Sequence, residues 1–110
     1  MSQINYLTLP NKFRKSEKIP LSEILYLEAN FNYTLVHLQN GIVRLSAQTL
    51  LFHEINYLDD SFIRIHRTFC VNKNHIQKYD DRNLWVEGGR KLAISRRKRK
   101  NILQISQPKL

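Results

Sequence analysis

Tyr33-Thr34-Leu35-Val36-His37-Leu38-Gln39-Asn40-Gly41-Ile42-Val43-Arg44-Leu45 decides the fold class of this chain. Tyr33 to Leu38 carries β-branched and aromatic residues at strand density. Asn40-Gly41 follows, and Asn-Gly is the strongest short hairpin signal, since both central positions of a type I′ turn need positive φ. Ile42 to Leu45 supplies the returning strand.

Working outward, the β pattern continues on both sides. Upstream, Ile24 to Glu28 is a short apolar run and Tyr6 to Leu9 a first strand, with the polar, basic stretch Asn11 to Lys18 expected as a loop. Downstream, Thr49 to Leu58 changes period. Leu50, Leu51, Ile55 and Leu58 recur at helical spacing, Thr49 suits the N-cap, and Asp59-Asp60 ends the element. The apolar stripe of this helix is expected to close one end of a β core. Phe62 to His66 reads as extended, and Phe69 to Asn72 is a second apolar patch. His75 to Tyr79 and Leu84 to Glu87 read as strands, and Gly88-Gly89 turns the second back into Lys91 to Ile94. Over Ser95 to Ile105, Ile102, Leu103 and Ile105 are placed to pack one side of a short basic helix. The expectation is a mainly β fold with one small amphipathic helix and a short C-terminal helix.

The 110 residues have room for one domain with one modest core, read as 1–110, and neither a linker nor an internal repeat interrupts them. An apolar share of 42% is ordinary for a globular protein, but a formal charge of +9 is not. Such a field attracts polyanions, nucleic acid or an acidic membrane surface. No apolar run is long enough to cross a bilayer, and Met1 to Pro10 lacks the build of a signal peptide. Cys70 is the single cysteine, so no internal disulfide argues for secretion, and a reducing cytoplasm fits best.

The cations gather. Arg90-Lys91 and Arg96-Arg97-Lys98-Arg99-Lys100 contribute seven with no acidic residue between them. Such a run is a solvated tail in many proteins. Here it directly follows a strand, and Ser95 stands where its hydroxyl can cap the next backbone N–H groups. Basic residues oppose the dipole of a first helical turn, and a phosphate lying there would offset that cost. Arg64, His66, Arg67 and Lys73 form a second basic group. Arginine on a loop suits bidentate reading of guanine; the plainer reading pairs Arg64 and Arg67 with Asp59 or Asp60. His37, His53, His66 and His75 lack the spacing of a metal site, and Cys70 between Phe69 and Val71 reads as a buried thiol rather than a nucleophile. No metal, cofactor or enzymatic activity is expected. Phe31-Asn32-Tyr33 is the best candidate platform for stacking single-stranded RNA, whereas Tyr26, Phe62 and Phe69 sit among aliphatics and read as core. A non-specific RNA-binding or ribosome-associated basic module is therefore the alternative.

Taken in order, Ile19-Pro20-Leu21-Ser22-Glu23-Ile24-Leu25-Tyr26-Leu27-Glu28-Ala29, the hairpin, the Thr49-Leu50 helix, Phe62-Ile63-Arg64-Ile65-His66-Arg67-Thr68-Phe69-Cys70-Val71-Asn72 and Leu92-Ala93-Ile94-Ser95-Arg96-Arg97 resemble the LytTR family of bacterial DNA-binding domains, over a core from about Leu7 to Leu103. The resemblance implies short antiparallel β-sheets and a transcriptional regulator that binds double-stranded DNA at paired promoter repeats, as a homodimer on DNA in some arrangements. It further implies loop side chains entering successive major grooves, with Asn32, Arg67 and Arg97 in the base-reading places. Phosphate contacts fall to Arg64, His66, Lys73, Ser95, Arg96, Lys98 and Lys100. Asn32 is supplied by the resemblance alone; an amide most naturally reads adenine. Relatives with two cysteines have the means for a redox switch that Cys70 alone does not provide. No receiver or sensor domain precedes the module in these residues, so its input is expected from expression level, a partner protein or dimerisation.

Overall fold

The computed structural model describes residues 5–10 and 16–102. Its strands are β1 (Tyr6–Leu9), β2 (Glu17–Pro20), β3 (Ile24–Asn30), β4 (Tyr33–Leu38), β5 (Val43–Ser46), β6 (Phe62–Arg64), β7 (Phe69–Asn72), β8 (Ile76–Tyr79), β9 (Asn83–Val86) and β10 (Arg90–Ala93). Two short helices accompany them, α1 (Leu50–Asn56) and α2 (Arg99–Ile102), the latter entered through a 3-10 turn at Arg96–Lys98. The fold is mainly β. Its pairings are all antiparallel, in a β1-β2 hairpin, a five-stranded sheet ordered β5-β4-β3-β7-β6, and a three-stranded sheet ordered β10-β9-β8.

The five-stranded sheet lies between two apolar clusters, and the two-residue period of its strands feeds both. In β3, Tyr26 pairs with Val71 and Leu27 with Cys70. Tyr26 and Val71 join one cluster with Ile63, Leu84, Val86, Leu92 and Ile102; Leu27 and Cys70 join the other with Leu7, Ile19, Val36 and Leu50. Ile24 to Leu27 is accordingly buried without interruption, as a strand covered on both faces must be. Tyr26 is core as expected, and Phe62 and Phe69 are half-buried against the two clusters.

Several expectations need correction. The hairpin forms, but its turn is not type I′: Gly41 has φ of 82° and Asn40 is not among the positive-φ residues. The Gly41 N–H donates to the Leu38 carbonyl at 3.1 Å and the Leu38 N–H to the Ile42 carbonyl at 2.9 Å. This is a three-residue loop with glycine in the left-handed position, which shifts the start of β5 to Val43. Part of the expected loop Asn11 to Lys18 is strand, since Glu17 and Lys18 pair with Leu9 and Thr8.

Helix α1 is capped by Thr49, whose hydroxyl accepts from the Phe52 N–H at 3.1 Å. Its buried side, however, is Leu50 and His53, while Leu51 and Ile55 are 60% and 73% exposed. Leu50 and Leu58 pack against the apolar cluster as expected, but between them His53 turns inward where Leu51 and Ile55 were expected to. Ser95 occupies the N-cap position of the terminal 3-10 turn without a side-chain capping bond; its carbonyl accepts from the Lys98 N–H at 3.0 Å. Ile102 is buried as expected, and Leu103 and Ile105 lie outside the described residues.

Candidate nucleic-acid interface

Three connecting segments meet at one end of the five-stranded sheet. The first is the two-residue turn Phe31-Asn32, closed where Asn30 pairs with Tyr33. The second is the turn between β6 and β7. There the Ile65 and His66 N–H groups donate to the Phe69 carbonyl at 3.1 and 3.3 Å, and the Phe69 N–H donates to the His66 carbonyl at 3.1 Å. Ala29 of β3 donates its N–H to the Thr68 carbonyl at 2.7 Å, tying this turn to the strand that leads into the first. The third begins at Ser95, whose N–H donates to the Ile65 carbonyl at 2.8 Å. Backbone hydrogen bonds therefore set all three, so the side chains they carry are held by the sheet.

Arg64 joins the second turn to the helix. Its Nη1 pairs with Glu54 Oε1 of α1, its Nε donates to the His66 carbonyl at 2.8 Å, and its Nη2 to the Arg67 carbonyl at 2.6 Å. Asn101 of α2 donates to the Arg64 carbonyl at 3.3 Å. A planar guanidinium fork suits three fixed acceptors better than an ammonium would. The partner is Glu54, not the Asp59 or Asp60 that sequence proximity favoured, and Arg64 is turned inward rather than outward to a polyanion. His66 Nδ1 accepts from the Thr68 N–H at 3.0 Å, which leaves the ring proton on Nε2 in the neutral form.

The second and third segments, with α1, form a cleft of about 770 Å³ lined by Leu51, Glu54, Arg64, His66, Arg67, Ser95, Arg97 and Lys98. Two basic groups that are well separated in sequence thus share one surface depression. Arg67 and Arg97 are exposed, Lys98 and Ser95 half-buried, and no ion pair among the described residues engages Arg67, Arg97 or Lys98. The one carboxylate in the lining, Glu54, is already paired with Arg64. Asn32 is exposed in its turn at the same end of the sheet but outside the cleft lining, and Arg96 and Lys100 are exposed on the segment that carries Arg97 and Lys98. Lys73 is not brought here. It follows the opposite end of β7, in a depression lined by Asp59, Asp60, Phe62 and Ile63.

Glu54 was missed in the sequence, although it is the sole acidic residue of α1 and so a conspicuous partner for a nearby cation. Leu51 was noted but assigned to the core. Cys70 is buried on β7, facing the cluster that holds Leu27 and Leu50, where desolvation pushes its thiol up to about 12 and keeps it protonated. A nucleophilic thiolate is not available there at neutral pH.

A family model of the LytTr DNA-binding domain matches residues 14–107. The chain belongs to the LytTR family. Among solved structures, it is similar to one described as the LytTr DNA-binding domain of a methyl-accepting/DNA response regulator from Bacillus cereus, at 26% identity and a TM-score of 0.74, covering 92% of this chain and 95% of that one. No curated protein matches. LytTR is a family of DNA-binding domains and not of enzymes, which places this LytTR domain among DNA-binding regulators of transcription. No helix among its described residues is long and apolar enough to cross a membrane.

Proposed function

We propose that this LytTR domain regulates transcription in the cytoplasm by binding specific duplex sequences, with side chains from its three loops entering successive major grooves. Asn32, Arg67 and Arg97 read base edges, while His66, Ser95, Arg96, Lys98 and Lys100 meet phosphates. The observation that carries this reading is the cleft in which Arg67, Arg97 and Lys98 gather beside a single, already paired carboxylate. Base reading requires side chains held at a fixed spacing, and phosphate contacts from the same surface set that register. Arg64 serves in this arrangement as the tie that positions Arg67, and Lys73 lies outside it. Residues 1–110 act as one unit, and two copies on paired promoter repeats would each place the same loops in their own half-site.

Selection of bound sequences from a random duplex pool tests the reading. A recurring motif, present twice at a fixed spacing, is the expected result. Enrichment of no sequence would overturn specificity and leave only electrostatic attachment. Structured RNA added as competitor at about 150 mM salt separates the alternative, because a purely electrostatic complex weakens steeply there.

A further inference from the structure

We infer that Phe31 recognises the 5-methyl group of a thymine, in or next to the A·T pair whose adenine is read by Asn32. The inference rests on the duplex-reading function proposed above and names the base pair that the first loop prefers.

Phe31 stands out on two independent grounds. Its side chain is 96% exposed, and its ring contacts no other ring among the described residues. It is also the one non-glycine residue among those described with positive φ, at 56°. A bulky side chain in the left-handed region carries a steric cost that glycine avoids and asparagine tolerates. Asn30 and Asn32 flank it, so a more tolerant residue type stands on either side while the aromatic takes the strained position. An exposed aromatic and a strained backbone at the same residue contribute nothing to the folded core. The Asn30–Tyr33 pair that closes the turn holds the backbone there, but nothing in the fold uses the ring, so the choice of an aromatic at this position points to a contact outside the chain.

The position says what that is. The Ala29 N–H to Thr68 carbonyl bond and the pairing of Glu28 with Phe69 put the Phe31 turn at the same end of the sheet as the Arg67 turn. A duplex lying over Arg67 therefore lies near Phe31. The major groove of a duplex presents one apolar group to a protein, the thymine 5-methyl, and phenylalanine is among the residues that pack on it. The neighbouring Asn32 amide matches adenine N6 and N7. An A·T pair displays both in one groove, so two adjacent residues of one turn would read the two partners of a pair. Stacking on an unpaired base would instead need a single strand, which the shared duplex surface does not offer.

The test uses the duplex recovered by the selection above, with each thymine replaced in turn by uracil, which removes the methyl and keeps every hydrogen bond. At one position the wild-type chain should lose about four-fold in affinity, the worth of one buried methyl. Phe31→Ala should bind the thymine duplex correspondingly weakly and be indifferent to uracil at that position. Phe31→Gly relieves the strain and should melt no lower than the wild type, so that its equal loss of affinity reports the missing ring rather than a damaged fold. The inference is overturned if no uracil position distinguishes wild type from Phe31→Ala. It is overturned too if Phe31→Ala binds as the wild type does, which would give the ring to a protein partner or an unpaired base. A selection that yields no motif removes the proposed function first, before any Phe31 variant is made.

Discussion

His53 shows how a single buried residue reshapes an element. It is fully buried in α1, with Nε2 hydrogen-bonded to Ser46 Oγ at 2.8 Å and Nδ1 without a partner among the described residues. Burial pushes its pKa down from 6.5 to about 4. The unfolded chain takes up a proton near 6.5, whereas the folded chain resists until about 4. Stability from this residue is therefore full above the higher value, falls as pH drops between the two, and levels off below the lower one. Between about pH 7.5 and about pH 5 the loss should be about 2 kcal/mol, read from denaturant midpoints. His53→Gln, which keeps a polar group near Ser46 but does not titrate, should make that dependence shallower, leaving the part from His37, whose pKa burial also lowers; an unchanged slope would refute the assignment. None of this was visible in the sequence, where His53 stands between Phe52 and Glu54, off the expected apolar stripe. Cys70 was legible, because a small thiol between Phe69 and Val71 has little else to be but core.

At the scale of elements, the strands were read well because alternation and turn residues are local properties. β4 was placed residue for residue, since Thr34, Val36 and Leu38 are buried in alternation along it. What escaped was tertiary. The choice of Leu50 and His53 over Leu51 and Ile55 depends on how α1 lies on the sheet, and the capped N-terminus at Thr49 does not fix its rotation. The Arg64–Glu54 pair joins β6 to α1 across ten residues of chain, a distance at which sequence spacing names no partner. Its role in the site is open to a sharp test. Arg64→Lys keeps the charge but loses the fork that holds the His66 and Arg67 carbonyls. Affinity for the selected duplex should fall about tenfold, roughly 1.4 kcal/mol, while affinity for random duplex stays the same. Were Arg64 a phosphate contact, lysine would replace it with little change on either duplex.

Across the whole molecule, the formal charge of +9 made a polyanion plausible without saying where it would lie. The sheet decides the place. The β6-β7 turn carries Arg67, the Ser95 N–H bond to the Ile65 carbonyl docks the segment bearing Arg97 beside it, thirty positions on, and the sheet's two faces are spent on apolar clusters, leaving the loop end for contact. The cluster at Arg96 to Lys100 was legible as a folded segment rather than a tail from its position after a strand, and its neighbourhood with Arg67 was not. Binding should weaken linearly in log affinity against log salt, because neutralised phosphates release counterions. Lys98→Ala should lower that slope by about one and weaken all duplexes alike. A slope unchanged by this substitution would remove Lys98 from the phosphate contacts.

Arginines held on loops that read bases differ measurably from arginines that merely attract the backbone. The most direct measurement is the affinity of Arg67→Ala and Arg97→Ala for the selected duplex and for duplexes altered one base pair at a time, at constant salt. Each variant should lose about 1–3 kcal/mol on the selected duplex and become indifferent to the identity of one base pair. Equal losses on selected and random duplexes, with discrimination intact at every position, would contradict base reading.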